Sequence, residues 1–283
     1  VRSGEVRVNK GRAHVDTRLQ SGDEVRIPPI RYTEKESEHS APPLKLSEMP
    51  PILFEDQNIM VVDKLAGMAS HGGSGISYGL IERMRASRPE LPFLELVHRL
   101  DRGTSGVLVL AKTRKALVRL HEMIREGEMH KTYQALVKGD WQNDRQHAKF
   151  PLFKYVTPSG ERRVRVDPEN GLPSHSIFRL KERFGPVSLV EVDLLTGRTH
   201  QIRVHAAELG FPLVGDEKYG DFAFNDEVAH GSLGVPFKRM FLHSGKICFH
   251  HPITGEELEI EAPLPKDCVE LIEVLEQRKA QNK

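Results

Sequence analysis

With 283 residues, 38% of them hydrophobic and 29% charged, the chain is long enough for one large domain or two smaller ones with a real core. Lys and Arg number 41 against 40 Asp and Glu, a formal charge of +1, so the total by itself does not point to nucleic acid. No apolar run reaches the roughly eighteen residues of a membrane span, no secretory signal opens the sequence, and Cys248 and Cys268 fit neither a zinc pattern nor a disulfide framework. A cytoplasmic protein without a structural metal and without membrane attachment is expected.

Residues 5–9 alternate as a strand, Asn9-Lys10-Gly11 signals a turn, and residues 24–27 give a second strand after Ser21-Gly22-Asp23. Two short strands do not make a stable unit, so a further piece is expected before Val1. Residues 31–51 are charged and proline-containing and read as a linker. Ile52-Leu53-Phe54 then pairs with residues 59–62 around a turn at 55–58. The spacing of Leu80, Ile81 and Met84 predicts a helix over 77–88. Residues 107–111 read as a buried strand. Leu117, Leu120 and Ile124 predict a helix over 113–126, stopped by Gly127.

Strands dominate the second half: 131–137, 164–166, 187–194, 240–249 and 258–260, with a turn at 251–255. A turn leading into a helix is read over 196–209, closed by Gly210, and a last helix over 265–278 with Val269, Ile272 and Leu275 inward. Many strands with few helices between them argue for an α+β fold and against a doubly wound parallel sheet.

The most informative stretch is Leu96-Val97-His98-Arg99-Leu100-Asp101-Arg102-Gly103-Thr104-Ser105-Gly106. Asp101 stands between two arginines, and nearby cations favour the charged form of a carboxylate. It is expected to be ionised at neutral pH, as a nucleophile or base, on a loop held by the following strand. An ordinary surface ion pair is the alternative. A second stretch, Gly197-Arg198-Thr199-His200-Gln201-Ile202-Arg203-Val204-His205, is rich in donors, and Arg203 can clamp a carboxylate from a distant loop bidentately. His200 and His205 are five apart, which does not stack them on one helical face for metal binding. His71-Gly72-Gly73-Ser74-Gly75 can cradle a phosphate but lacks the lysine of a P-loop; a plain loop competes with that reading. Basic residues cluster at 98–119, at Arg162, Arg163 and Arg165, and at Arg198, His200, Arg203 and His205, which suggests one positive face on a near-neutral whole.

Taken together, residues 97–106, Lys131-Thr132-Tyr133, residues 197–205 and Arg239-Met240-Phe241-Leu242-His243 resemble the RluA family of RNA pseudouridine synthases over about residues 52–265. The likeness implies the pseudouridine synthase fold, a mixed, mainly antiparallel sheet with flanking helices and a central active-site cleft. It implies three segments: 1–30 as the C-terminal part of an S4-like RNA-binding domain, 31–51 as a linker, and 52–283 as the catalytic domain. It implies Asp101 as the essential carboxylate, Tyr133 stacked under the target base, and Arg203 paired with Asp101. Arg99 would enter the RNA stack in place of the flipped base, Leu242 would line the base pocket, and His71 and Arg102 join them as RNA contacts. The strand at 23–29 and the loop at 71–74 are similar to members acting on large-subunit ribosomal RNA. One departure is Asp63-Lys64-Leu65 where the family often has Asn-Lys-Pro.

Isomerisation neither adds nor removes atoms, so no cofactor is expected. The base must leave its helix, Arg99 can fill the gap, and stacking on Tyr133 is worth about 1–3 kcal/mol. A carboxylate then acts at C1′, at C6, or on the C2′ proton; all three need it ionised. A lone acid suits isomerisation better than hydrolysis, where two carboxyl groups usually act. The competing reading is a non-catalytic RNA-binding ribosome-assembly factor; a metal-dependent hydrolase is disfavoured by ligand spacing. A monomer is expected, with ribosomal RNA as partner.

Overall fold

A computed structural model of the chain describes residues 6–14, 17–26, 41–73 and 77–281. Two compact units result, Val1–Ser40 and Ala41–Lys283. In the first, β1 (Arg7–Val8) pairs antiparallel with both β2 (Gly11–Arg12) and β3 (Val25–Arg26). The turn from β1 to β2 places Asn9 and Lys10 at φ 49° and 68°, the left-handed pair a two-residue hairpin needs. Asn9 Nδ2 donates to Asp23 Oδ1 at 2.7 Å, tying this turn to the segment before β3.

The second unit begins ten residues before the end of the expected linker. Leu44 is buried, its backbone N–H donates to Ser87 Oγ, and Arg83 pairs with Glu48 at 2.5 Å. Residues 41–51 therefore pack on the first helix. Residues 27–40, which hold the rest of the expected linker and the end of the expected S4-like segment, and residues 74–76 of the glycine-rich loop lie outside the described residues.

The larger unit runs β4 (Ile52–Glu55), β5 (Ile59–Lys64), α1 (Leu80–Ser87), β6 (Glu95–Leu96), β7 (Ser105–Ala111), α2 (Arg114–Glu126), β8 (His130–Lys138), β9 (Arg145–Ala148), β10 (Leu152–Val156), β11 (Arg162–Val166), β12 (Ser176–Arg183), β13 (Val187–Leu194), α3 (Gln201–Glu208), α4 (Phe222–Ala229), β14 (Leu242–His250), β15 (Glu257–Glu261) and α5 (Lys266–Gln281). Ten strands form one sheet in the order β4-β5-β7-β14-β8-β13-β12-β9, with β15 on β14 and β6 on β7. Every pairing is antiparallel except β7 with β14. The fold is thus α+β with a mixed, mainly antiparallel sheet.

Alternation along the central strands explains why the sheet is covered on both faces. Met60, Val62, Leu108 and Leu110 face a core with Leu80 and Met84 of α1 and Ile202 and Ala206 of α3. Ile59, Val61, Val107 and Val109 face the other way, onto Ala116, Leu120 and Met123 of α2. Thr113 caps α2, its side chain accepting from the Ala116 N–H, and Gly127 ends it at φ 76°. In α5 the buried residues are Cys268, Leu271 and Leu275; of the expected stripe Leu275 is inward and Ile272 packs partly buried on the same cluster, while Val269 is exposed.

β9, β10, β12 and α4 were not expected. β12 reads as a polar run because Arg179 and Lys181 point to the acids of its neighbour, reaching Glu191 of β13 at 3.8 and 3.5 Å. α4 buries Val228 and is started by Asp221, whose carboxylate accepts from the Phe224 N–H.

Candidate active site

Asp101 sits on the loop between β6 and β7, and that loop is fastened from below. Ser70, fully buried, donates to the Leu100 carbonyl at 2.8 Å and accepts from the Leu100 N–H at 3.1 Å. Gly67 and Arg102 exchange hydrogen bonds, backbone N–H to carbonyl at 2.8 Å and Nε to carbonyl at 2.9 Å. The amine of Lys64, with no exposed surface, reaches the carbonyls of Met68 at 2.7 Å, Leu65 at 3.0 Å and Arg102 at 3.5 Å. Burial is the main reason its pKa falls to about 7, although the Asp101 charge works the other way. Residues 64–70 are therefore the bed of the Asp101 loop, a role the sequence reading missed.

The flanking arginines do not hold the acid. Arg102 bonds Gly67, and Arg99 Nη1 meets His71 Nε2 at 3.0 Å. Arg203, from the first turn of α3, donates from Nη1 to Asp101 Oδ2 at 3.0 Å. Its bidentate partner is a different residue: Nε and Nη2 reach Asp216 Oδ2 and Oδ1 at 2.7 and 2.6 Å. So the acid of the loop is not alone: Arg203 meets Asp101 by one bond, and its bidentate clamp closes on Asp216. Asp216 also accepts from the backbone N–H groups of Lys218 and Tyr219. Burial pushes its carboxyl up, but the Arg203 bonds and charge and those two N–H groups leave it below its ordinary 3.8. The guanidinium, disfavoured by burial, is raised by Asp216 first and Asp101 second.

This arrangement divides the two oxygens of Asp101. Oδ2 is engaged; Oδ1 faces His200 Nε2 across 3.9 Å, beyond hydrogen-bond reach. Asp101 keeps 26% of its side-chain surface against 0% for Asp216, so the half-exposed acid can meet a ligand and the sealed one cannot.

Tyr133 is buried in β8, hydrogen-bonded to Ser244, and burial raises its phenol to about 12. Its register partner across the sheet is Ser244 of β14. Leu242 at the head of β14 shares an apolar cluster with Tyr133, Leu100 and Ile202. The close approach of β7 to β14 requires Gly106: a Cβ there would lie 2.2 Å from the Ser244 carbonyl oxygen, at φ 110°.

The human RNA Pseudouridylate Synthase Domain Containing 1 has this fold at TM-score 0.62 and 26% identity, covering 82% of this chain and 97% of that one. The human RNA Pseudouridylate Synthase Domain Containing 4 agrees in fold at TM-score 0.64, 23% identical, over 80% of this chain and 92% of that one. Residues 58–208 match the family model described as RNA pseudouridylate synthase. The chain belongs to that family. The synthase is also 50% identical over 279 residues to Ribosomal large subunit pseudouridine synthase C of Salmonella typhi, covering 97% of this chain and 86% of that protein. The protein of that name from Escherichia coli strain K12 is 50% identical over 268 residues, 93% of this chain and 82% of its own length. The synthase is therefore an isomerase, as the resemblance of its motifs implied.

The structure of the synthase brings Asp101 and Arg203 together, groups Tyr133 with Leu242, and pairs Arg99 with His71. Arg102 is held in the loop bed, though its side chain is exposed. The basic cluster at 198–205 does not form a charged face. Arg203 is neutralised by two acids, and His205 is buried between Ser174 and Ser176, its pKa pushed to about 4 chiefly by burial. Asp216 and Tyr219 were missed. Their signal is Gly215-Asp216-Glu217-Lys218-Tyr219-Gly220: a Cβ at Gly215 would lie 1.9 Å from the Arg239 carbonyl oxygen, and one at Gly220 would lie 2.3 Å from that of Asp216. Among the described residues no group of three or more His, Cys, Asp or Glu could hold a metal ion.

Proposed function

We propose that this isomerase converts specific uridines of large-subunit ribosomal RNA to pseudouridine, with Asp101 as the catalytic carboxylate. The reaction breaks N1–C1′, turns the freed uracil, and joins C5 to C1′; the proton leaving C5 balances the one gained at N1. Whether the carboxylate acts at C1′, at C6 or on the C2′ proton, it needs one free, ionised oxygen beside the sugar. The observation that carries this reading is the split use of Asp101: Oδ2 fixed by Arg203 and Oδ1 open. Asp216 holds Arg203 from behind by two bonds, so Arg203 steers Asp101 with the single Nη1. Tyr133 and Leu242 line the space for the everted base, a neutral phenol ring giving a stacking surface. Arg99, exposed and steadied by His71, is placed to enter the stack, and Arg102 contacts RNA beside it. The substrate class follows from the names of the two bacterial relatives.

Residues 1–30 act as an S4-like RNA-binding piece joined to the catalytic unit through the following segment, and the enzyme works as a monomer in the cytoplasm. Among the described residues no helix is long and apolar enough to cross a membrane.

Asp101→Asn is the test. Tritium release from 5-tritiated ribosomal RNA is expected to fall to background while RNA affinity changes less than about threefold. Turnover at the normal rate by this variant refutes the assignment.

A further inference from the structure

His200 is in the left-handed region, at φ 54° and ψ 21°, as the residue preceding α3. Histidine adopts that backbone at some cost, and here the result is a side chain wedged beside Asp101. Its Nδ1 lies 2.7 Å from Tyr219 Oη, which also accepts the Val164 N–H at 2.9 Å. The phenol is raised to about 12, mainly by burial, and so keeps its proton. Among the described residues His200 Nδ1 is the only acceptor within reach of the Tyr219 O–H, so Tyr219 gives that proton to the ring. The tautomer follows: His200 carries its hydrogen on Nε2. Burial, more than any neighbour, lowers the imidazole pKa below 6.5, so the ring is neutral at pH 7. Asp101, Arg203, Lys218 and Asp216 are the charges around it.

Nε2–H makes no hydrogen bond among the described residues and lies 3.9 Å from Asp101 Oδ1. One atom is a pure donor, the other a pure acceptor. Their gap is too wide for a direct bond and admits one oxygen at about 2.8 Å from each. A group there must accept from Nε2–H and donate to Oδ1, which is what a hydroxyl does. The 2′-hydroxyl of RNA is donor and acceptor at once, and it distinguishes RNA from DNA at a given nucleotide. It is attached to C2′, next to the C1′ that the reaction must reach. Uracil's N3–H edge lies opposite C6, away from that bond.

We infer that His200 is a specificity-determining residue that, together with one lone pair of Asp101 Oδ1, grips the ribose 2′-hydroxyl of the target nucleotide and leaves the other lone pair free for the reaction. This rests on the functional reading above. The Tyr219 bond holds the imidazole in place, so the hydroxyl meets a donor that is already fixed. Arg203, whose guanidinium lies 5.1 Å from the centre of the Tyr219 ring, shares the same support.

The test uses the full chain and a ribosomal RNA stem-loop that it modifies. Two product stem-loops are made, each with pseudouridine at the modified position, one with ribose and one with 2′-deoxyribose at that nucleotide alone. The unaltered protein is expected to bind the ribose form about tenfold more tightly, the size expected for two hydrogen bonds, one of them to a charged acceptor. His200→Asn accommodates the left-handed backbone, and its Oδ1 can take over the Tyr219 bond, but it has no atom at Nε2. Its preference is expected to drop to threefold or less, and His200→Gln, which places an amide N–H there, is expected to restore it. A purely structural role would weaken both stem-loops equally and leave the ratio unchanged. The inference is overturned if the unaltered protein shows no preference, a measurement that needs no variant, or if His200→Asn retains the full ratio. Absence of pseudouridine after incubation with the unaltered protein would instead remove the functional reading itself.

Discussion

Arg203 serves two carboxylates with one guanidinium, and its nitrogen atoms divide between them. Nε and Nη2 are spent on a sealed acid, Asp216, which leaves Nη1 to set the position of a half-open one, Asp101. Replacing Asp216 by Asn leaves the buried Arg203 with Asp101 as its remaining charged partner, and breaking one partner of a buried pair costs about 3–5 kcal/mol. Urea denaturation at pH 7 should show a loss of that order, with turnover falling as Arg203 loses its anchor. The pH dependence has a definite sign. A carboxyl held below 3.8 in the folded state contributes stability above that value and loses it as pH falls through the lower, folded pKa. The stability gap between the unaltered protein and Asp216→Asn should therefore stay constant down to about pH 4 and narrow below 3.8. The Asp101 motif was legible in the sequence because small residues and charges crowd one loop; Asp216 was not, because nothing local marks an acid as the far end of a bidentate pair.

At the scale of elements, two joints hold the site. One is the end of β5, where Lys64 collects three carbonyls beneath the Asp101 loop. Its amine titrates at about 7 when folded and at about 10.5 when unfolded. Between those values the unfolded chain binds the extra proton, so this group makes stability rise with pH across that window. Lys64→Met should abolish that rise in urea titrations from pH 7 to pH 10, and it should slow turnover by loosening residues 64–70. The other joint is the parallel contact of β7 with β14. Gly106→Ala forces a Cβ onto the Ser244 carbonyl oxygen at a backbone angle that favours glycine. A loss above about 4 kcal/mol is expected, or a failure to fold, judged by the cooperative thermal transition. Sequence periodicity found β5, β7, α1 and α2 because their inward residues repeat regularly. It missed β12, whose cations read as loop until β13 supplies the opposing acids.

On the scale of the whole molecule, near-neutral net charge conceals a local cation surplus. Arg162 and Arg165 are exposed on β11, whereas Arg203 and His205 of the 198–205 cluster are sealed in the core. If β11 lies against RNA phosphates, replacing both exposed arginines by Ala should lessen the slope of log affinity against log salt by about one to two. Turnover at saturating RNA should be unchanged, since neither residue reaches Asp101; an unaltered salt slope would place the RNA elsewhere. The same strand supplies the Val164 N–H that fixes Tyr219, so its backbone, unlike its exposed arginines, belongs to the site.

The residues alone determined the class of fold, the order of most elements and the loop that carries Asp101, because those features depend on local propensity, burial period and the few residue types that can do the chemistry. Tertiary structure alone decided that the bidentate partner of Arg203 is Asp216. Arg203 lies 102 positions from Asp101 and 13 from Asp216, and the choice between them depends on how α3, the 64–70 bed and the glycine-flanked turn at 215–220 close on one another. A side chain's partner is fixed by distances in space, and a linear string records which charges exist without recording how far apart folding will leave them.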